Sequence, residues 1–152
     1  SCIGSQNANV TTYSFYVVPQ LAISDTYLAW TPVLDRVGKK LNLCFDLKVF
    51  PGIPTFERDL LAGKPDFAFM NPYHLLPART DQGYIPIIAD GKNQLSGIIV
   101  VKKDSAIKSI QDLNGKKMAF PAPNAMAASL LIQVDLNRNN IKVIPEFVNK
   151  RF

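Results

Sequence analysis

Asp66-Phe67-Ala68-Phe69-Met70-Asn71-Pro72-Tyr73-His74 is the stretch that decides the fold. Residues 67–70 form a short, wholly apolar run. Gly63-Lys64-Pro65 punctuates it on one side and Asn71-Pro72 on the other. An apolar run of this length between breakers reads as a strand buried on both faces, the pattern of a parallel sheet covered by helices. The Asn-Pro step turns the chain out of the strand. Pro72 suits the first position of the following helix, where a missing N–H costs nothing. Asn71, Tyr73 and His74, the one histidine of the chain, therefore fall just past the carboxyl end of a central strand. In open α/β sheets that edge is where ligands bind.

Working outward, residues 13–18 read as a first strand. A cap at Ser24-Asp25-Thr26 opens a helix whose stripe is Trp30, Leu34, Val37 and Leu41, with Pro32 in its first turn or at a kink. Residues 43–50 form a second strand. Thr55 caps a short helix carrying Phe56, Leu60 and Leu61, which Gly63 closes. A helix over 72–80 and strands over 85–89 and 95–103 follow. Ser109-Ile110-Gln111-Asp112 matches a capping box, and Asn114-Gly115 is a turn signal. Residues 117–120 read as a strand. A helix over 125–137 buries Met126, Leu130, Leu131 and Val134, and an extended piece covers 141–148. Strands alternating with helices imply βαβ units around a mostly parallel sheet, an α/β fold. The expected organisation is a flexible tether over 1–11, a first lobe over 12–95 and an incomplete second lobe over 96–152.

The totals narrow the function. Nearly half of the 152 residues are apolar and 19% are charged, a globular composition. No apolar run approaches the roughly 20 residues of a membrane helix. The net charge is +5 and the pI near 9.3. The lysines are scattered as pairs at element ends (39–40, 102–103, 116–117), which speaks for solvated surface and against a nucleic-acid partner. His74 has no second histidine or cysteine at ligand spacing, so no metal site is expected. Neither G-x-x-x-x-G-K nor G-x-G-x-x-G occurs, and no nucleophile stands beside a base, so neither a cofactor nor catalysis is expected. Cys44, in an apolar strand, reads as a buried free thiol, and a disulfide with Cys2 is not expected. Cys2, after Ser1 and before a polar stretch, reads either as the lipid-bearing cysteine of a lipoprotein or as an ordinary terminal cysteine.

The run 61–73, the Trp30-Thr31-Pro32 helix segment, Val100-Val101-Lys102-Lys103-Asp104-Ser105, and above all residues 112–120 carry a family likeness. The chain resembles the periplasmic substrate-binding proteins of phosphate, phosphonate and phosphite ABC transporters, which have the two-lobed type II binding-protein fold. The resemblance covers residues 12–148. It implies a periplasmic or cell-envelope location, an ABC permease as partner, no enzymatic activity and two lobes that close on a small oxyanion or polar metabolite. Family members run longer, completing the second lobe and returning to the first. In them the oxyanion sits at the helix start that Asn124, Ala125 and Met126 match here, where free N–H groups and the helix dipole favour an anion. They usually carry serines, threonines and a glycine at this place; this chain has none before Ser129. The expected ligand contacts are Tyr16, Asn71, Tyr73 and His74 from the first lobe and Asn124, Ala125 and Met126 from the second. A sensory input domain of a signalling protein with the same fold is the alternative.

Overall fold

The computed structural model describes residues 2–148 and divides the chain into two compact units, 2–86 and 87–148. The division falls earlier than the expected boundary after residue 95.

Strands β1 (Ile3–Gly4), β2 (Thr11–Val17), β3 (Leu43–Val49) and β4 (Phe67–Phe69) form the first unit's sheet in the order β1-β3-β2-β4. β2 runs parallel to both β3 and β4, with Phe15 beside Leu47 and Phe67. β1 is the antiparallel edge. Side chains alternate across a strand, so Tyr13, Phe15 and Val17 join Phe45, Leu47 and Phe67 on one face. There they pack with Trp30 and Leu34 of α1 (Ile23–Leu41). Trp30 lies 5.1 Å from the Phe15 ring and 4.8 Å from Phe69, centroid to centroid. On the other face Tyr16, Val18 and Ala68 pack with Phe56 and Leu60 of α2 (Ile53–Leu61) and Ala78 of α3 (Pro72–Gln82). Residues 67–69 form the expected strand, but β4 stands at the end of the sheet order, with Phe67, Ala68 and Met70 half-buried and Phe69 39% exposed, so among the described residues it is an edge strand and not the expected central strand buried on both faces.

Helix α1 departs from the expected stripe. It starts after Ala22, and Thr26, not a cap, returns its hydroxyl to the Ala22 carbonyl at 3.0 Å. Pro32 lies in mid-helix, where it deletes one backbone bond. The residues turned inward are Thr26, Leu34 and Gly38, with Trp30 half-buried, while Val37 and Leu41 are 38% and 59% exposed. Gly38 takes the place of the predicted Val37 because β1 crosses against it. A Cβ on Gly38 would stand 2.7 Å from the Gly4 Cα and 2.7 Å from the Leu43 carbonyl oxygen. Similarly, α2 begins after Gly52 with Pro54 in its first turn, and Thr55 bonds back to the Gly52 carbonyl from inside the helix.

The amino-terminal segment is not the expected tether, and the reading of both cysteines is corrected. Cys2 and Cys44 form a disulfide across the β1–β3 pair, with Cα atoms 5.3 Å apart. In this form Cys44 is no free thiol and the Cys2 sulfur bears no lipid. The segment is further held by Asn42, which ends α1 in the left-handed conformation (φ 54°). The Asn42 side-chain oxygen accepts from Ser5 Oγ at 2.7 Å and from Asn7 Nδ2 at 2.8 Å.

The second unit contains a one-turn 3-10 helix (Ile110–Leu113), β5 (Lys117–Phe120), a π-helical stretch (Met126–Leu131) that runs on into α4 (Ile132–Arg138), and β6 (Ile144–Phe147). β5 and β6 are parallel, with Phe120 beside Phe147. Leu113, Phe120, Ile132, Leu136 and Ile141 form the core, joined by Ile99, Ile107, Ile110, Met118 and Val143. The capping box forms as read: the Asp112 carboxylate accepts from the Ser109 amide at 2.8 Å and from the Lys108 amide at 2.9 Å. These donors hold the Asp112 carboxyl below its ordinary range. Gly115 takes φ 74° in the turn after Asn114.

Two expectations fail here. Residues 85–89 and 95–103 belong to no strand, and Ile85, Ile87, Ile88, Ile98 and Val100 are exposed. An apolar β-branched run becomes a strand only when a neighbouring strand supplies its hydrogen bonds. The buried face of the last helix is Ala125, Ser129, Ile132 and Leu136, not Met126, Leu130, Leu131 and Val134. Its first turn is wider than an α-turn: the Leu130 amide reaches back to the Ala125 carbonyl, an i to i+5 bond that rotates the inward face.

Candidate ligand-binding site

The chain leaves β4 through Phe69 and Met70 and enters α3 at Pro72, as the Asn-Pro step dictates. Asn71 is the N-cap. Its side-chain oxygen accepts from the His74 amide at 3.1 Å, and the His74 ring returns the bond, Nδ1 accepting from the Asn71 amide at 3.4 Å. This is a capping box built with histidine in the place that glutamate or glutamine usually fills. The outer nitrogen of the same ring, Nε2, lies 2.9 Å from Glu57 Oε1 on α2. Since Nδ1 accepts, Nε2 carries the proton and donates it to Glu57. His74 is only 2% exposed, and its ring lies 5.4 Å from that of Phe56. Both ring nitrogens are thus engaged inside the protein. His74 builds the turn and offers no nitrogen to a ligand, which corrects its expected role as a contact. Asn71 is buried as well and serves as the cap.

Tyr73 is different. It sits between Pro72 and His74 on the first turn of α3 and is 41% exposed, so its phenol is presented at the carboxyl edge of the sheet. Tyr16, on the adjacent strand β2, is half-buried with its ring 5.1 Å from Phe50. Of the four expected contacts from this unit, two are tied into the turn and one lines the core; only Tyr73 combines position with exposure. At the amino end of β4, Ser14 and Asp66 lock the register of β2 and β4: the Ser14 amide and hydroxyl both donate to Asp66 Oδ2 at 2.8 Å, and the Asp66 amide donates to Ser14 Oγ at 2.9 Å.

In the second unit, Pro121-Ala122-Pro123-Asn124 carries the chain from β5 to the last helix. Ala125 is its N-cap residue and supplies no side-chain cap. The first amides bonded back into the helix are those of Ser129 and Leu130, both to the Ala125 carbonyl. The amides of Met126, Ala127 and Ala128 therefore precede the helical ladder, as the first N–H groups of any helix do. Ser129, the nearest hydroxyl, is fully buried and donates to the Ala122 carbonyl, so it braces the loop from beneath. Asn124 and Met126 are half-buried and Ala125 is buried. Donors at this helix start are backbone amides, in keeping with the missing serines and threonines. Segment 96–100 lies against the same turn: a Cβ on Gly97 would collide with the Ala127 carbonyl oxygen and come within 2.7 Å of the Ile132 Cγ1.

Sequence reasoning missed Glu57 and Ser14. Each acts through a partner far along the chain, and neither stands in a motif of its own. Among the described residues no group of three or more His, Cys, Asp or Glu gathers to hold a metal, and no helix is long and apolar enough to cross a membrane.

A family model described as ABC transporter, phosphonate, periplasmic substrate-binding protein matches residues 15–152. No curated protein matches the chain.

Proposed function

Because the chain belongs to the family of periplasmic substrate-binding proteins of phosphonate ABC transporters, with the α/β architecture of the type II binding-protein fold, we propose that it binds a small oxyanion of the phosphonate or phosphate class. It delivers this ligand to an ABC permease. The family match over residues 15–152 carries the reading. The local chemistry supports it: amides that precede the helical ladder at Met126, Ala127 and Ala128, and the helix dipole behind them, favour an anion. Tyr73 supplies an aromatic body with a polar tip at a sheet's carboxyl edge, where a ligand can take both. With Ser129 turned inward and no hydroxyl before it, recognition rests on backbone N–H groups. These read charge and shape, not a particular pattern of ligand hydroxyls. Asn124, Ala125 and Met126 frame that helix start.

A thermal-shift panel tests the reading. Phosphate, phosphite and methylphosphonate are the probes, with neutral sugars and amino acids as controls. At least one oxyanion raises the unfolding temperature in a saturable way, since a ligand at 100 times its Kd adds about 2.7 kcal/mol. Silence from all three, with a response to a neutral control, overturns it.

A further inference from the structure

We propose that Glu57 and His74 together are positioning residues for ligand binding: a Glu57–His74–Asn71 hydrogen-bond chain fixes the tautomer of His74 and, through it, the turn that carries Tyr73. The binding consequence rests on the reading above that Tyr73 meets the ligand; the fixed tautomer does not.

Three observations combine. First, the Asn71-Pro72-Tyr73-His74 turn is closed on both sides by the same pair of residues, His74 N–H to Asn71 Oδ1 at 3.1 Å and Asn71 N–H to His74 Nδ1 at 3.4 Å. Tyr73 lies inside this closed loop, so the direction of its side chain follows from the loop. Second, the return bond exists only if Nδ1 is unprotonated. A glutamate in that place would accept without conditions, but an imidazole accepts only in one of its two neutral tautomers. Third, Glu57 selects that tautomer. Its carboxylate, 2.9 Å from Nε2 and with 18% of its side chain exposed, takes the Nε2 proton as a charge-assisted bond. The Phe56 ring, from the same helix, packs beside the imidazole. Buried at 2% exposure, the His74 ring finds no water to replace either partner, so losing Glu57 leaves an N–H donor unsatisfied. The ring is then drawn toward any other acceptor it can reach, which strains the Asn71 N–H to Nδ1 bond and loosens the turn. Helix α2 thus controls a residue at the start of α3 that it does not touch through a backbone bond.

The test uses the intact protein with nitrogen-15 label. In the wild type, imidazole nitrogen shifts report a neutral His74 protonated at Nε2, with a slowly exchanging Hε2 proton. An Nδ1-protonated ring or a freely exchanging one overturns the proposal without any variant. Glu57→Gln keeps an acceptor for Nε2–H; Glu57→Leu removes it. Glu57→Leu shifts the Asn71 and Tyr73 amide resonances and weakens methylphosphonate binding by about tenfold, the scale of one buried donor left without a partner, while Glu57→Gln stays within about twofold. Equal weakening in both variants, or unchanged Asn71 and Tyr73 resonances in Glu57→Leu, overturns the proposal. If the wild type takes up none of methylphosphonate, phosphate and phosphite, the ligand reading fails and the tautomer and the amide resonances still decide this one.

Discussion

Replacing Gly97 by alanine sets two effects of opposite sign against each other. Gly97 is not held in the left-handed region, so its backbone accepts alanine. The loss of unfolded-state entropy would on its own stabilise the protein by about 0.4–1 kcal/mol. Space decides otherwise. The added methyl collides with the carbonyl oxygen of Ala127 and lies 2.7 and 2.8 Å from Ile132 Cγ1 and Cδ1. Ile132 belongs to the core, and the carbonyl is part of the π-helical first turn, so neither yields as the tip of a flexible side chain would. Forcing a methylene into such packing costs about 1–3 kcal/mol. The net expectation is a destabilisation of about 1–2 kcal/mol, with the displacement felt at the amides of residues 126–128. Urea unfolding followed by circular dichroism, with methylphosphonate affinity measured by calorimetry, gives both quantities. A variant that is stabilised, or one that is destabilised yet binds as the wild type does, refutes the link between segment 96–100 and the helix start.

Further expectations follow from the same packing. Gly38→Ala gains about 1 kcal/mol of helix propensity but meets only backbone atoms of Gly4, Leu43 and Ile3, so chemical denaturation shows a net loss of about 1–2 kcal/mol from overpacking; a gain would mean that β1 does not lie there. The disulfide spans a sequence separation of 42, for which chain entropy predicts about 4 kcal/mol; replacing both cysteines by serine lowers the urea midpoint of the first unit, and an unchanged midpoint contradicts the staple. The Asp112 carboxyl, held down by its backbone donors, contributes stability that is present above its unfolded pKa and is lost as pH falls through the lower folded value. Carbon-13 titration of Asp112 shows protonation below the ordinary aspartate range, and Asp112→Asn flattens the acid limb of the stability profile; an ordinary titration contradicts the capping box.

What the sequence revealed was mostly local. Pro72 at the head of α3, Gly63 and Gly115 in positive φ, and the Ser109–Asp112 cap each depend on a few neighbouring residues, and each appears as read. The misses involve partners remote in the chain. Gly38 faces inward only because β1 returns to cross it, and the bond between Cys2 and Cys44 follows from that same crossing. Counting apolar residues along α1 favours Val37 and has no means of detecting a backbone on the other side. The π-turn at residues 126–131 moved the buried face by a fraction of a turn, which a fixed helical period cannot anticipate. At the site, the position of the Asn71–His74 turn was legible, but the use of His74 was not. A lone histidine beside a strand edge reads as a ligand contact until Glu57, 17 residues earlier in the chain, is seen to occupy its outer nitrogen.

Titrating nitrogen-15-labelled protein with methylphosphonate tests the central claim most directly. Saturable downfield shifts of the Met126, Ala127 and Ala128 amides, together with a change at the Tyr73 ring, are the predicted result. Saturable binding that leaves those three amides unmoved would contradict it.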